Sequence, residues 1–269
     1  MAANPTGVGG HEQGWAKTYR RDQWWVGPAA TAAGLTAWLI YYAWAAWQDA
    51  HFAAGPYMSP FYPFYLHEAG EAAHPSFFGQ LPGWWPTALL SPALVAGFAP
   101  GAFRITCYYY RKAYYRAFFG TPPGCAVGAR PQDYRGETFL LVFQNLHRYA
   151  LYGALLLLPY LYWEAFNGFL YHGEWGIGLG SIIMVMNCVF LTFYTLGCHA
   201  WRHLVGGQLN CFSCGSVPRF RYGAWQAVTR LNEKHMMWAW TSLIWIAFTD
   251  FYIRLVSMGV INDPNTWGF

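Results

Sequence analysis

Residues 176–197 read GIGLGSIIMVMNCVFLTFYTLG, and no charged side chain follows until Arg202. A run of this length is close to the roughly 20 apolar residues that cross about 30 Å of hydrocarbon as a helix. The rest of the chain has the same character. Of its 269 residues, 55% are hydrophobic and only 10% charged, against about 25% charged in a soluble domain. Aromatics make up 21%, with 16 Trp, and Trp and Tyr collect at water–lipid interfaces. The mean hydropathy of +0.15 is modest because Gly, Tyr and Trp score poorly. Residues 1–16 are small and polar, without the apolar core of a cleavable signal.

Outward from that run, apolar segments lie at about 25–48, 86–110, 147–169, 177–203 and 236–258. The second contains Pro92 and Pro100, which buried spanning helices tolerate and which can kink them. The expectation is an all-α integral membrane protein with five transmembrane helices, a single anchor domain over 1–269. Its place is the plasma (cell inner) membrane, crossed several times. Basic residues set the orientation. Lys17, Arg20 and Arg21 stand in the tail. Arg111, Lys112, Arg116, Arg130, Arg135 and Arg148 follow the second segment, and Arg202, Arg219, Arg221, Arg230 and Lys234 follow the fourth. Residues 50–100 have none. The N-terminus is therefore expected in the cytoplasm and the C-terminus outside, with 204–234 as a cytoplasmic loop. GWAKTYRRDQWW at 14–25 suits either an interfacial segment or a frayed tail with anchoring aromatics.

Loop 49–85 is aromatic and acidic, with His51, His67, His74, Glu68 and Glu71, and reads as an interfacial cap. Glu164 and Asp250 fall inside predicted spans, roughly 22–26 Å from the inner end by helix rise. Intramembrane carboxylates are usually paired or functional. Arg254, one turn after Asp250, predicts an i,i+4 ion pair; for Glu164, structure and proton handling carry comparable weight.

The chemistry collects at 196–235, LGCHAWRHLVGGQLNCFSCGSVPRFRYGAWQAVTRLNEKH. His199 and His203 are four apart, on one helix face. Cys211-Phe-Ser-Cys214-Gly is a turn whose two sulfurs can reach one metal. With a single CxxC, the remaining donors must be histidines or distant cysteines. His203 and His235, which flank the loop, are suited by topology; His199 and Cys198 are alternates.

Two resemblances follow from these motifs. Arg202-His203-Leu204 at a span end resembles the cytochrome b anchor of succinate dehydrogenase. In that family's H-x-x-x-G-x-R-H pattern the haem-ligating position falls here on Leu196, which binds no iron, so haem b is not expected. The run from Cys198 to His203, Cys211 to Gly215, and His235 to Trp240 is similar to the single-subunit, five-helix membrane anchor of actinobacterial succinate dehydrogenase, the mycobacterial first type. That resemblance implies a Rieske-like [2Fe–2S] cluster in the membrane anchor instead of haem. It also implies partners, namely the iron–sulfur and flavoprotein subunits, with membrane lipid around the chain and no nucleic acid. Electrons would pass to a membrane quinone, menaquinone being the expected one.

A Rieske cluster takes two thiolates and two imidazoles, a set that Cys211, Cys214, His203 and His235 can supply. Quinone in this family lies near the inner interface, which singles out Arg202, His199, Trp225 and Tyr222. Arg202 can donate a charge-assisted hydrogen bond to a quinone carbonyl, or pair with lipid phosphate or an acidic partner. Two other classes stay open: a membrane scaffold or transporter subunit with a structural Cys2His2 zinc site, and a haem b cytochrome subunit. The flavin must sit elsewhere, because this chain has no dinucleotide fingerprint.

Overall fold

Ser91 caps the first turn of a helix whose next residue is Pro92, the position where a missing N–H costs nothing. That helix, α2, ends after only 15 residues, and its end is what distinguishes this fold from five plain spans. The structure is a computed structural model that describes residues 14–62, 82–86, 88–121, 123–128 and 138–268. In chain order the elements are α1 (Val26–Gln48), β1 (Ala53–Ala54), β2 (Tyr57–Met58), α2 (Pro92–Thr106), α3 (Tyr108–Phe119) and α4 (Thr138–Asn167). Then come β3 (Leu170–Tyr171), β4 (Glu174–Trp175), α5 (Leu179–Leu196), α6 (His199–Gly206), α7 (Ser216–Glu233) and α8 (His235–Ser257). The strands form two antiparallel two-residue hairpins, β1 with β2 and β3 with β4. His67, His74, Glu68 and Glu71 lie outside the described residues.

Four expected boundaries change. The 86–110 segment is not one helix, because Cys107 takes an extended conformation (φ −63°, ψ 132°) and separates α2 from α3. The 177–203 segment breaks in the same way at Cys198 (φ −66°, ψ 142°), so His199 and His203 belong to the short α6 and not to α5. The expected loop 204–234 is mostly helix: α7 fills 18 of its residues. Its sequence has too few apolar positions to read as a span, yet its periodic Arg and aromatic residues suit an amphipathic helix. The helix expected at 147 starts instead at Thr138.

Among the described helices, α5 is long and apolar enough to cross a membrane on length and composition alone. The helix pairs α5–α8, α2–α4 and α4–α5 make the body of the bundle, and α6 packs on α7. Large apolar side chains also cover its outside: Ile40, Phe98, Leu156 and Ile244 are all exposed.

The predicted ion pair is present. Arg254 Nε donates to Asp250 Oδ2 at 2.8 Å, with both side chains buried. Tyr41 Oη donates to the same oxygen at 2.5 Å, and the Ser59 hydroxyl donates to Oδ1. Arg254 Nη1 reaches Gln48 Oε1 and the Ala50 carbonyl, each at 2.6 Å. A buried charge pair is tolerated only when its remaining donors and lone pairs are satisfied. Here α8 is thereby tied to the end of α1. Glu164 accepts from Tyr160 Oη at 2.5 Å, one turn before it on α4.

Candidate functional site

The two helix breaks have a common consequence. Cys107 and Cys198 each cap the start of a new helix, α3 and α6, and both thiols are buried. In each case the residue four ahead closes the turn: Arg111 N donates to the Cys107 carbonyl and Arg202 N to the Cys198 carbonyl, both at 2.9 Å. A histidine from a different helix meets each sulfur. His147 Nε2 on α4 lies 2.9 Å from Cys198 Sγ, and His235 Nε2 at the start of α8 lies 3.8 Å from Cys107 Sγ. Two thiols and two imidazoles thus converge from four elements into one apolar interior, all buried.

The imidazoles are held from outside. His147 Nδ1 contacts Thr106 Oγ1 at 3.0 Å, and its ring stacks on Phe103 with centroids 4.5 Å apart. The His235 ring stacks on Tyr194 at 5.1 Å. Gly197 is required beside it, since a Cβ there would meet the Phe193 carbonyl at 2.6 Å. Such outer contacts fix ring orientation in metal sites. His235 Nδ1 is buried with no hydrogen-bond partner, an uncommon state for a buried polar atom. Among the described residues no three His, Cys, Asp or Glu side chains close on one point as ligands of a single ion do. The four lie instead as two Cys–His couples.

Phe103 and Tyr194, the two rings against these histidines, also line a cavity of about 530 Å³. Its wall is mostly apolar, with Arg104, Thr195, Tyr42, Tyr110, Tyr114 and Tyr194 also lining it. Arg104 Nη2 donates to Ser242 Oγ at 3.0 Å and Nη1 to the Ala239 carbonyl at 3.2 Å, and its guanidinium lies 4.7 Å from the Tyr194 ring centre. An apolar slot with one cationic end is a recognisable site for an apolar ligand carrying a few acceptors.

The residues expected as ligands are distributed differently. Cys211 and Cys214 are bonded to each other as a disulfide on the turn before α7. His203 is exposed, with its Nδ1 3.2 Å from Arg148 Nη2. His235 lies in the buried group. The structure therefore does not bring Cys211, Cys214, His203 and His235 together. The chain turns at Cys198 and again at Gly207, so α6 and the turn holding the CxxC leave the line of α5. Arg202, Trp225 and Tyr222 do meet. Arg202 lies 4.4 Å over the Trp225 ring, and Trp225 and Tyr222 stack at 5.8 Å. Arg202 Nε also donates to Thr229 Oγ1 at 2.9 Å. Burial, followed by the neighbouring Arg202 and His203, lowers the His199 pKa.

Residues 26–259 match the family model described as actinobacterial succinate dehydrogenase subunit SdhC. The chain belongs to this family. It is therefore a membrane subunit of succinate dehydrogenase, an oxidoreductase complex. A solved structure titled Mycobacterium smegmatis Sdh1 complex in the apo form is similar at 40% identity and a TM-score of 0.82, over 91% of this chain and 92% of that chain. No curated protein matches.

Two members of the buried group, Cys107 and His147, were missed as candidates for this SdhC-family chain. A signal for Cys107 was present: Cys107-Tyr-Tyr-Tyr-Arg111 repeats the C-x-x-x-R spacing of Cys198-His-Ala-Trp-Arg202. No local spacing marks His147, because its partners come from other helices.

Proposed function

We propose that this chain is the anchor through which succinate dehydrogenase delivers electrons to a membrane quinone, using a Rieske-type [2Fe–2S] cluster held by Cys107, Cys198, His147 and His235. The observation that carries the proposal is the convergence of two thiols and two imidazoles, the Rieske donor set, against the wall of an apolar cavity. When bound, such a cluster supplies one-electron transfer at a potential above that of all-cysteine clusters. The chain's own residues bury the site, orient both imidazoles through Phe103, Thr106 and Tyr194, and keep water away from it.

The quinone, menaquinone in this proposal, fits the 530 Å³ cavity. Arg104 would donate to a ring carbonyl, while the apolar wall takes the chain of the quinone. The slot at Arg202, His199, Trp225 and Tyr222 is the alternative location, since those rings and that cation stand at the surface of α6 and α7. The iron–sulfur and flavoprotein subunits complete the enzyme. The exposed apolar faces of α1, α2, α4 and α8, together with α5, support five spans. The basic residues of α3, α6 and α7 support a cytoplasmic side for the cluster end.

Iron, zinc and acid-labile sulfide analysis of the purified complex, with low-temperature electron paramagnetic resonance after dithionite reduction, tests this. The expected result is two extra irons and two extra sulfides with a Rieske-type signal that disappears in Cys107→Ser and Cys198→Ser. Zinc in place of iron would overturn it.

A further inference from the structure

The CxxC turn lies outside the proposed electron path, and its chemistry is separate from it. We infer that Cys211 and Cys214 form a reversible thiol–disulfide exchange site on the turn between α6 and α7, whose redox partner is a dithiol of a soluble protein. The pair is bonded in the structure, with only Phe212 and Ser213 between the two cysteines. Cys214 is exposed and Cys211 half-buried. Cys107, Cys188 and Cys198 are buried, and Cys125 is exposed but not bonded. The bonded pair is thus the one that an external thiol can reach and open.

The surroundings favour the thiolate that exchange requires. The 18-residue α7 begins at Ser216, so its unsatisfied N–H groups and positive end stand beside Cys214. Arg219 reaches back to the Ser213 carbonyl, Nη2 at 3.3 Å and Nε at 3.4 Å, holding a cation against the turn. Helix N-termini and neighbouring arginines are the surroundings that activate cysteines.

The bond is also dispensable as a staple. It closes a very short loop, the case in which a cross-link constrains the unfolded chain least. The α6–α7 hairpin is clamped without it. Arg221 donates to the carbonyls of Val205 at 2.9 Å, Gly207 at 2.8 Å and Leu204 at 3.3 Å. Gly206 lets Trp225 pack against the end of α6, where a Cβ would meet the ring at 2.2 Å. Opening the pair therefore leaves both helices in place and frees only the turn around Phe212 and Ser213.

The exchange balances as two displacements. A thiolate of the reductant attacks Cys214 Sγ, the Cys211–Cys214 bond breaks, and Cys211 leaves as a thiolate that takes a proton. The second thiol of the reductant then attacks its own sulfur in the mixed disulfide, and Cys214 leaves and is protonated. Two electrons and two protons pass from the dithiol to the pair, and an oxidised partner reverses both steps.

The intact complex with Cys125→Ser in the anchor is equilibrated in mixtures of reduced and oxidised glutathione. It is then quenched with acid and labelled with a charged maleimide, and the peptide holding both cysteines is weighed. The expected result is a change from fully bonded to doubly labelled within the range of mixtures, the two thiols appearing together, and faster conversion with a thioredoxin-type dithiol. Arg219→Ala should slow that conversion several-fold while assembly is unchanged. A pair bonded in every mixture is a structural staple, and a pair never bonded is a plain dithiol; either overturns the proposal. Zinc bound to the reduced pair, with labelling blocked, overturns it as well. The cluster signal serves as an independent readout, so failure here is distinct from failure of the proposed electron path.

Discussion

Cys107 and Cys198 stand 91 residues apart in the chain and share one buried site, while Cys211 and Cys214 are neighbours in sequence and share a turn. The first pair is held by helix breaks, by stacked rings and by histidines from two other helices. The second is held by its own bond and a nearby arginine. Local spacing makes a motif conspicuous, but a redox centre kept from water needs a dry enclosure, and only several elements together can build one. In this molecule the conspicuous CxxC and the buried set of two thiols and two imidazoles are therefore different places.

The sharpest way to break this contrast is to remove each pair in turn. Cys198→Ser or His147→Ala should abolish the cluster signal and at least ~99% of quinone reduction, a loss of about 2.7 kcal/mol or more in transition-state terms. Succinate oxidation by a dye that accepts electrons upstream should persist. Cys211→Ser with Cys214→Ser should keep the signal. Loss of the signal in the second variant, with retention in the first, would return the ligands to the CxxC turn.

Buried and surface charges should differ in the same sense. Arg254→Met leaves Asp250 buried without its cation, and stranding one partner of a buried pair costs about 3–5 kcal/mol. Thermal unfolding of the purified complex should show a large fall in anchor stability, and an unchanged midpoint would mean that Asp250 is held by its hydroxyl partners alone.

The cavity can be filled without disturbing the donors. Gly101 lines it, and a Cβ there meets nothing within 4 Å. Gly101→Leu should lower kcat/KM for quinone roughly tenfold or more, the usual value of about 1–3 kcal/mol for a pocket altered by a few methylenes. Dye reduction should not change. Unaltered quinone kinetics would move the quinone out of this cavity.

The smallest effect is expected at Arg202→Leu. Its cation–π contact with Trp225 contributes about 0.5–1 kcal/mol, so quinone kinetics should change no more than a few-fold. A loss comparable to that of Gly101→Leu would favour the α6–α7 slot instead.

By itself the sequence determined the helical class, the positions of the first and last long helices, and the Asp250–Arg254 pair. Each follows from near neighbours: apolar runs of helical length, and opposite charges one turn apart. The helix breaks at Cys107 and Cys198 were not legible, because neither position carries Gly or Pro and an apolar run conceals a turn within it. The amphipathic α7 was hidden for the opposite reason, its apolar residues being too sparse for a span. Only the tertiary structure decided which sulfurs meet which imidazoles. His147 carries no local mark of its role; it faces Cys198 because α4 packs on α5 and α6. Likewise the cavity beside it exists only where six helices leave space that none of them defines alone. Secondary structure is set by spacing along the chain, whereas a buried site depends on packing between segments far apart in it, and spacing does not encode those distances.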